Sequence, residues 1–90
     1  MSQIRKLQIK IEILRALNAC EGIAMSEHTL CTQVRILVSP TPLMSELHEG
    51  LRHLETTKRI VGVPGALESG TKWLLTDNGK AELASIESNG

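Results

Sequence analysis

The sequence predicts an α+β domain that is mostly α: three helices, a two-stranded hairpin and a short C-terminal helix. Three observations predict it. Residues 3–20 repeat apolar side chains every three or four positions, which is the period of a helix. Ser39-Pro40-Thr41-Pro42 breaks the next helical stretch into two. Thr71-Lys-Trp-Leu-Leu-Thr76-Asp-Asn-Gly79-Lys-Ala-Glu-Leu83 reads as a strand that turns abruptly into a helix.

The elements follow in order. In the first helix Ile4, Leu7, Ile11 and Leu14 form the inward stripe, and Glu21-Gly22 ends it. Ile9, Ile13 and Ala16 fall beside or behind that stripe, so the helix is apolar over too wide an arc for one neighbour. Ser26 is a suitable N-cap for the second helix, with Leu30, Val34 and Leu37 inward. That helix cannot run far past Val38, because Pro40 restricts Ser39. Thr41 is the expected N-cap of the third helix, with Pro42 at its first position and Leu43, Leu47, Leu51 and Leu54 as its apolar stripe. Gly50 offers a place for close helix contact. The third helix ends near Thr57, and Lys58 to Val63 reads as a strand. Pro64-Gly65 and Ser69-Gly70 bracket a turn, and Thr71 to Leu75 returns. Thr76 then caps a last helix over residues 79–87, with Asp77 beside its positive end. Gly79 is a poor helix former, and close packing against the strand is one reason for it. Asn78-Gly79 is also a hairpin signal, but Lys-Ala-Glu-Leu-Ala after it favours helix.

Ninety residues make a single domain, 1–90. Its core must be aliphatic, since Trp73 is the only aromatic residue. Formal net charge is zero, with ten basic and ten acidic side chains, whereas binding to phosphates calls for a basic face. Residues 1–20 set Arg5, Lys6, Lys10 and Arg15 against Glu12, and residues 62–90 lean acidic. The N-terminus lacks a secretory pattern and nothing approaches a membrane span in length, so a cytoplasmic protein with reduced thiols is expected. No phosphate-binding glycine loop, nucleophile elbow or metalloprotease helix occurs, so the chain does not read as an enzyme. His28 and Cys31 share one helix face, with Cys20, His48 and His53 elsewhere, but there is no CxxC pair. No metal or cofactor is expected, and Cys31 reads as a small core residue rather than half of a Cys20–Cys31 redox pair.

The pattern Leu-Thr-x-x-Gly-Lys-x-x-Leu over residues 75–83 resembles the end of the wing and the start of the final helix in winged helix-turn-helix regulators, such as the MarR-like and PadR-like families. The element order resembles that superfamily over nearly the whole chain. The resemblance implies a DNA-binding transcriptional regulator whose third helix enters the major groove of double-stranded DNA. Thr41, Ser45, Glu49, Arg52 and Thr56 would then face outward, flanked by His48 and His53. Arg35, Arg52, Lys58, Arg59 and Lys72 would meet the phosphate backbone. A solvated helix face is the plain alternative for the same residues. The wing tip, Ala66-Leu67-Glu68, departs from the basic tips common in the superfamily. Neutral charge and that tip favour a second reading, a winged-helix module that binds a protein partner. Many of these regulators dimerise through terminal helices. Here Ile9 and Ile13, aided by Leu83 and Ile86, would form a homodimer seam with Lys6 and Lys10 beside it.

Overall fold

The first helix is the axis of the domain, and its buried face is not the one its leading stripe picks out. A computed structural model describes residues 3–20, 23–64 and 71–89. Its elements are α1 (Gln3–Ala19), β1 (Met25–Ser26), α2 (Glu27–Leu37), α3 (Met44–Thr56), β2 (Ile60–Pro64), β3 (Thr71–Leu75) and α4 (Asp77–Asn89). The chain is therefore α+β and mostly helical, with four helices and a small antiparallel sheet among the described residues, compatible with a winged-helix-like layout.

On α1 the buried residues are Ile9, Ile13, Leu14, Ala16 and Leu17, and Ile9 and Ile13 are each 1% exposed. Ile4 at 79% and Leu7 at 50% face solvent instead. This corrects the dimer seam expected on Ile9 and Ile13, which belong to the chain's own core. The reason lies in α3. Gly50 brings the α3 backbone against α1, so that a Cβ there would stand 3.3 Å from Ile13 Cδ1 and 3.5 Å from Ile9 Cγ2. A helix approaching so closely selects the 9–13–16–17 stripe over the 4–7–11 stripe beside it. Packed against α2, α3, α4 and β3 together, α1 uses its wide apolar arc inside one chain. Leu83 on α4 is likewise buried in that core, which corrects its assignment to a seam between chains, while Ile86 is half-buried.

β1 was not expected. Met25 and Ser26 pair with Trp73 and Lys72 of β3, giving the sheet order β1-β3-β2. Ser26 serves twice: its extended backbone (φ −63°, ψ 148°) fits a strand, and its Oγ accepts from Thr29 N at 3.3 Å as the N-cap of α2. An N-cap has strand-like torsions, so strand and helix can meet at one residue. At the far end of α2, Val38 turns extended and is buried, while Leu37 is exposed rather than inward.

α3 begins at Met44, not at Pro42. Pro42 is fully buried, which draws residues 41–43 into an extended approach and moves the cap to Leu43. Leu43 has no side-chain acceptor to offer the first turn. Its own N–H instead donates to Glu46 Oε1 at 2.9 Å, the reciprocal half of a capping box. The helix ends in a Schellman motif: Lys58 N donates to Glu55 O at 3.0 Å and Arg59 N to Leu54 O at 2.9 Å. Lys58 takes the left-handed position there, with φ 64°.

In the hairpin, Ile60 pairs with Leu75 and Gly62 with Trp73, so Ile60, Trp73 and Leu75 face the core. Val61, Val63, Lys72 and Leu74 share the outer face. The expected tip, Ala66-Leu67-Glu68, lies outside the described residues. The switch into α4 is as the sequence reads. Thr76 Oγ1 accepts from Gly79 N at 3.0 Å and is 2.7 Å from Lys58 O, fastening the start of α4 to the entry of β2. Asn78 and Gly79 lie in the first turn of α4, not in a hairpin. A Cβ at Gly79 would collide with the Arg59 carbonyl and stand 2.6 Å from Leu75 Cδ1, so only glycine fits. No described helix is long and apolar enough to cross a membrane.

Candidate nucleic-acid interface

The outward side of α3 is built by its buried stripe. With Leu47, Gly50, Leu51 and Leu54 in the core, Met44, Ser45, His48, Glu49, Arg52 and Thr56 are exposed. Met44, His48 and Arg52 follow one another at one-turn intervals and form a ridge. Of the expected contact residues, Ser45, His48, Glu49 and Arg52 share this helix. Thr41 is exposed just before it, as a turn residue rather than a cap. Arg35, on α2, lines one surface recess with Met44 and His28 and another with Ile36 and Thr41.

The carboxylates around this side are mostly engaged. Glu27 Oε1 accepts from the buried Trp73 Nε1 at 3.1 Å, and its Oε2 is 3.2 Å from His48 Nε2. Glu49 Oε2 leans toward α1 and meets Lys6 Nζ at 3.5 Å. Glu46 receives Arg5 in two bonds of 2.9 and 3.1 Å. The Arg5 guanidinium, helped by the Leu43 N–H, holds the Glu46 carboxyl down at about 2. Among the carboxylates of α3, Glu55 alone has no such partner among the described residues.

The cations divide. Arg5, Lys6 and Arg15 of α1 all pair with carboxylates, Arg15 with both Glu12 and Glu87. Arg59 donates to Glu82 Oε1 of α4 at 3.0 Å. Arg59, expected to meet the phosphate backbone, is thus already paired with a carboxylate of α4. By contrast Arg35, Arg52, Lys58 and Lys72 form no ion pair among the described residues. Lys58 follows directly on α3, whereas Lys72 stands on the outer face of the sheet. Lys10 and Lys80, elsewhere on the surface, are also unpaired among the described residues.

Sequence reading missed two features of this side. One is the Glu27 clamp on Trp73 and His48. A lone buried tryptophan needs an acceptor for its N–H, so some partner was implied, but nothing in the pattern names Glu27. The other is a set of exposed apolar side chains, Ile36, Leu37, Leu43 and Met44, around the turn between α2 and α3. Leu43 was expected inward and is 67% exposed.

The thiols offer little chemistry. Burial pushes the Cys31 thiol above its usual pKa, which makes it a weaker nucleophile. Among the described residues no cluster of three or more His, Cys, Asp or Glu is placed to hold a metal ion. No protein-family model, curated protein or solved structure matches the chain.

Proposed function

We propose that this chain is a winged-helix transcriptional regulator that binds double-stranded DNA by setting α3 into the major groove. The observation that carries the reading is the division of its cations. Net charge is zero, but Glu46, Glu49, Glu87 and Glu82 are spent on Arg5, Lys6 and Arg15 of α1 and on Arg59. Around α2, α3 and the strands, Arg35, Arg52, Lys58 and Lys72, unpaired among the described residues, are left to meet phosphates. Ser45 and His48 then lie between these cations as candidate base or sugar contacts. Helix, strand, helix, helix, strand, strand with sheet order β1-β3-β2 supports the same reading.

The protein would act as a homodimer, with its seam on the exposed Ile4 and Leu7 and the half-buried Ile11 of α1, continued by the half-buried Ile86 of α4. Twofold symmetry then implies two half-sites about one helical turn or more apart. The apolar surface around the α2–α3 turn favours a second reading, a module that docks a protein partner there.

Binding to an arbitrary duplex at low salt, followed as salt is raised, tests the proposal. Arg52→Ala should weaken binding by about 1–3 kcal/mol with little change in thermal midpoint. Arg15→Ala, which removes an already paired cation, should change binding little. Absence of any binding at low salt would leave the protein-docking reading in its place.

A further inference from the structure

We infer that Leu43 and Met44 read thymine methyl groups, so that the protein selects A·T-containing sites through apolar contact at the leading end of α3. The inference rests on the DNA reading above and adds the chemistry that sets its sequence preference. Leu43 is 67% and Met44 43% exposed, although both belong to residue types that ordinarily bury. Met44 heads the ridge that continues through His48 to Arg52, so an apolar contact, an imidazole and a guanidinium follow at one-turn intervals along one line. A helix lying in the major groove presents its early residues to base edges. The one apolar group displayed there is the C5-methyl of thymine.

The surroundings fit a nucleic acid as the occupant. Arg35 shares one recess with Met44 and Glu27 and another with Ile36 and Thr41, and it forms no ion pair among the described residues. A guanidinium set beside an apolar contact, once water is excluded, requires an anion within reach, and the phosphate flanking each base supplies one. Arg52 offers a second exposed guanidinium farther along α3, eight residues after Met44. Glu27, which lines the first of these recesses, is held by Trp73 and His48 instead.

The test uses an alternating d(A-T) duplex and the same duplex with deoxyuridine in place of thymidine. The exchange removes the C5-methyl and leaves every hydrogen-bonding group of the base unchanged. Wild-type protein should bind the thymidine duplex more tightly, by about fourfold for each contacted methyl. The variants are Leu43→Ser, which puts a favoured cap residue at an N-cap position, and Met44→Gln, which keeps length and helix preference. Their double variant should stay folded and bind both duplexes equally, at the wild type's level on deoxyuridine. Equal wild-type binding to the two duplexes overturns the inference while leaving the DNA reading intact. Discrimination retained by the double variant also overturns it, by assigning the methyl contact to other residues. Absence of binding to either duplex at low salt overturns the DNA reading, and this inference with it.

Discussion

The edge formed by α1 and α4 and the face formed by α2 and α3 treat charge in opposite ways. Arg5, Lys6 and Arg15 of α1 meet Glu46 and Glu49 of α3, Glu12 of α1 and Glu87 of α4, and Arg59 meets Glu82 of α4, so these cations tie elements together. On α2 and α3 Arg35 and Arg52 form no ion pair among the described residues, Glu27 is spent on an indole and an imidazole, and Glu55 is likewise unpaired there. A net charge of zero therefore conceals an uneven pairing of charges, with most α1 cations tied to carboxylates and the two arginines of α2 and α3 left without one among the described residues. Whole-chain charge speaks to solubility and long-range steering, whereas recognition depends on which charges remain unpaired at one place.

The same comparison divides the apolar residues of α1, and the largest expected effect breaks it there. Ile13 is buried against Gly50 and the core, while Leu7, earlier on the same helix, is half exposed. Ile13→Ala should cost about 2–5 kcal/mol in a denaturant melt. Leu7→Ala should cost much less in the monomer, yet it should lower the light-scattering mass if α1 forms a dimer seam. Equal costs for the two would mean that the stripes are misassigned. A wild-type mass of one chain at high concentration would remove the dimer.

How far this was legible follows from what each residue answers to. The Thr76 cap and the Gly79 requirement are local, since a hydroxyl three residues before an amide and a missing Cβ against a strand both show in sequence. The α2 cap at Ser26 is local too. The inward face of α1 is not, because two adjoining stripes have equal period and the choice is made by Gly50 on another helix. β1 escaped because two residues show no alternation, and Ser26 already had a role as a cap. The start of α3 was misplaced because a Thr-Pro pair signals a cap and first turn, whereas burial of Pro42 overrode it. At the candidate site the polar residues of α3 were legible from their period. Arg59 was not, since its partner Glu82 lies on a helix packed from elsewhere in the chain.

A smaller effect sharpens the contrast at the paired cations. Glu46 holds three places together: it pairs with Arg5 of α1, accepts from the Leu43 N–H and belongs to the first turn of α3. Its carboxyl is lowered from 4.5 to about 2 by Arg5 first and the Leu43 N–H second. A depressed folded-state pKa contributes stability that is full above about 4.5 and is lost as pH falls through about 2. Both partners are partly exposed, so salt screens the contribution. Glu46→Gln should lower stability at neutral pH and flatten the loss between pH 4.5 and 2, where the two proteins should converge. Parallel acid limbs for the two proteins would show that Arg5 does not hold Glu46 in solution.

The smallest effect probes the join between the two regions. Lys58 closes α3 in the left-handed conformation, φ 64°, at the position where helices usually place glycine. A side chain there is strained against its own backbone, and glycine is not. Lys58→Gly should therefore raise stability by less than about 1 kcal/mol, read as a higher denaturant midpoint at unchanged slope. If stability alone decided this position, the exchange would be gain without loss. The DNA reading demands a loss as well. Lys58 is an unpaired cation among the described residues, directly after the reading helix, so its removal should weaken duplex binding evenly across sequences and reduce the salt slope by about 1. A variant that is more stable and binds with an unchanged salt slope would take Lys58 out of the interface and leave Arg35 and Arg52 to define it. A variant that is less stable would show that the lysine stem packs where Thr76 Oγ1 grips the Lys58 carbonyl, and that the strain serves the join to α4.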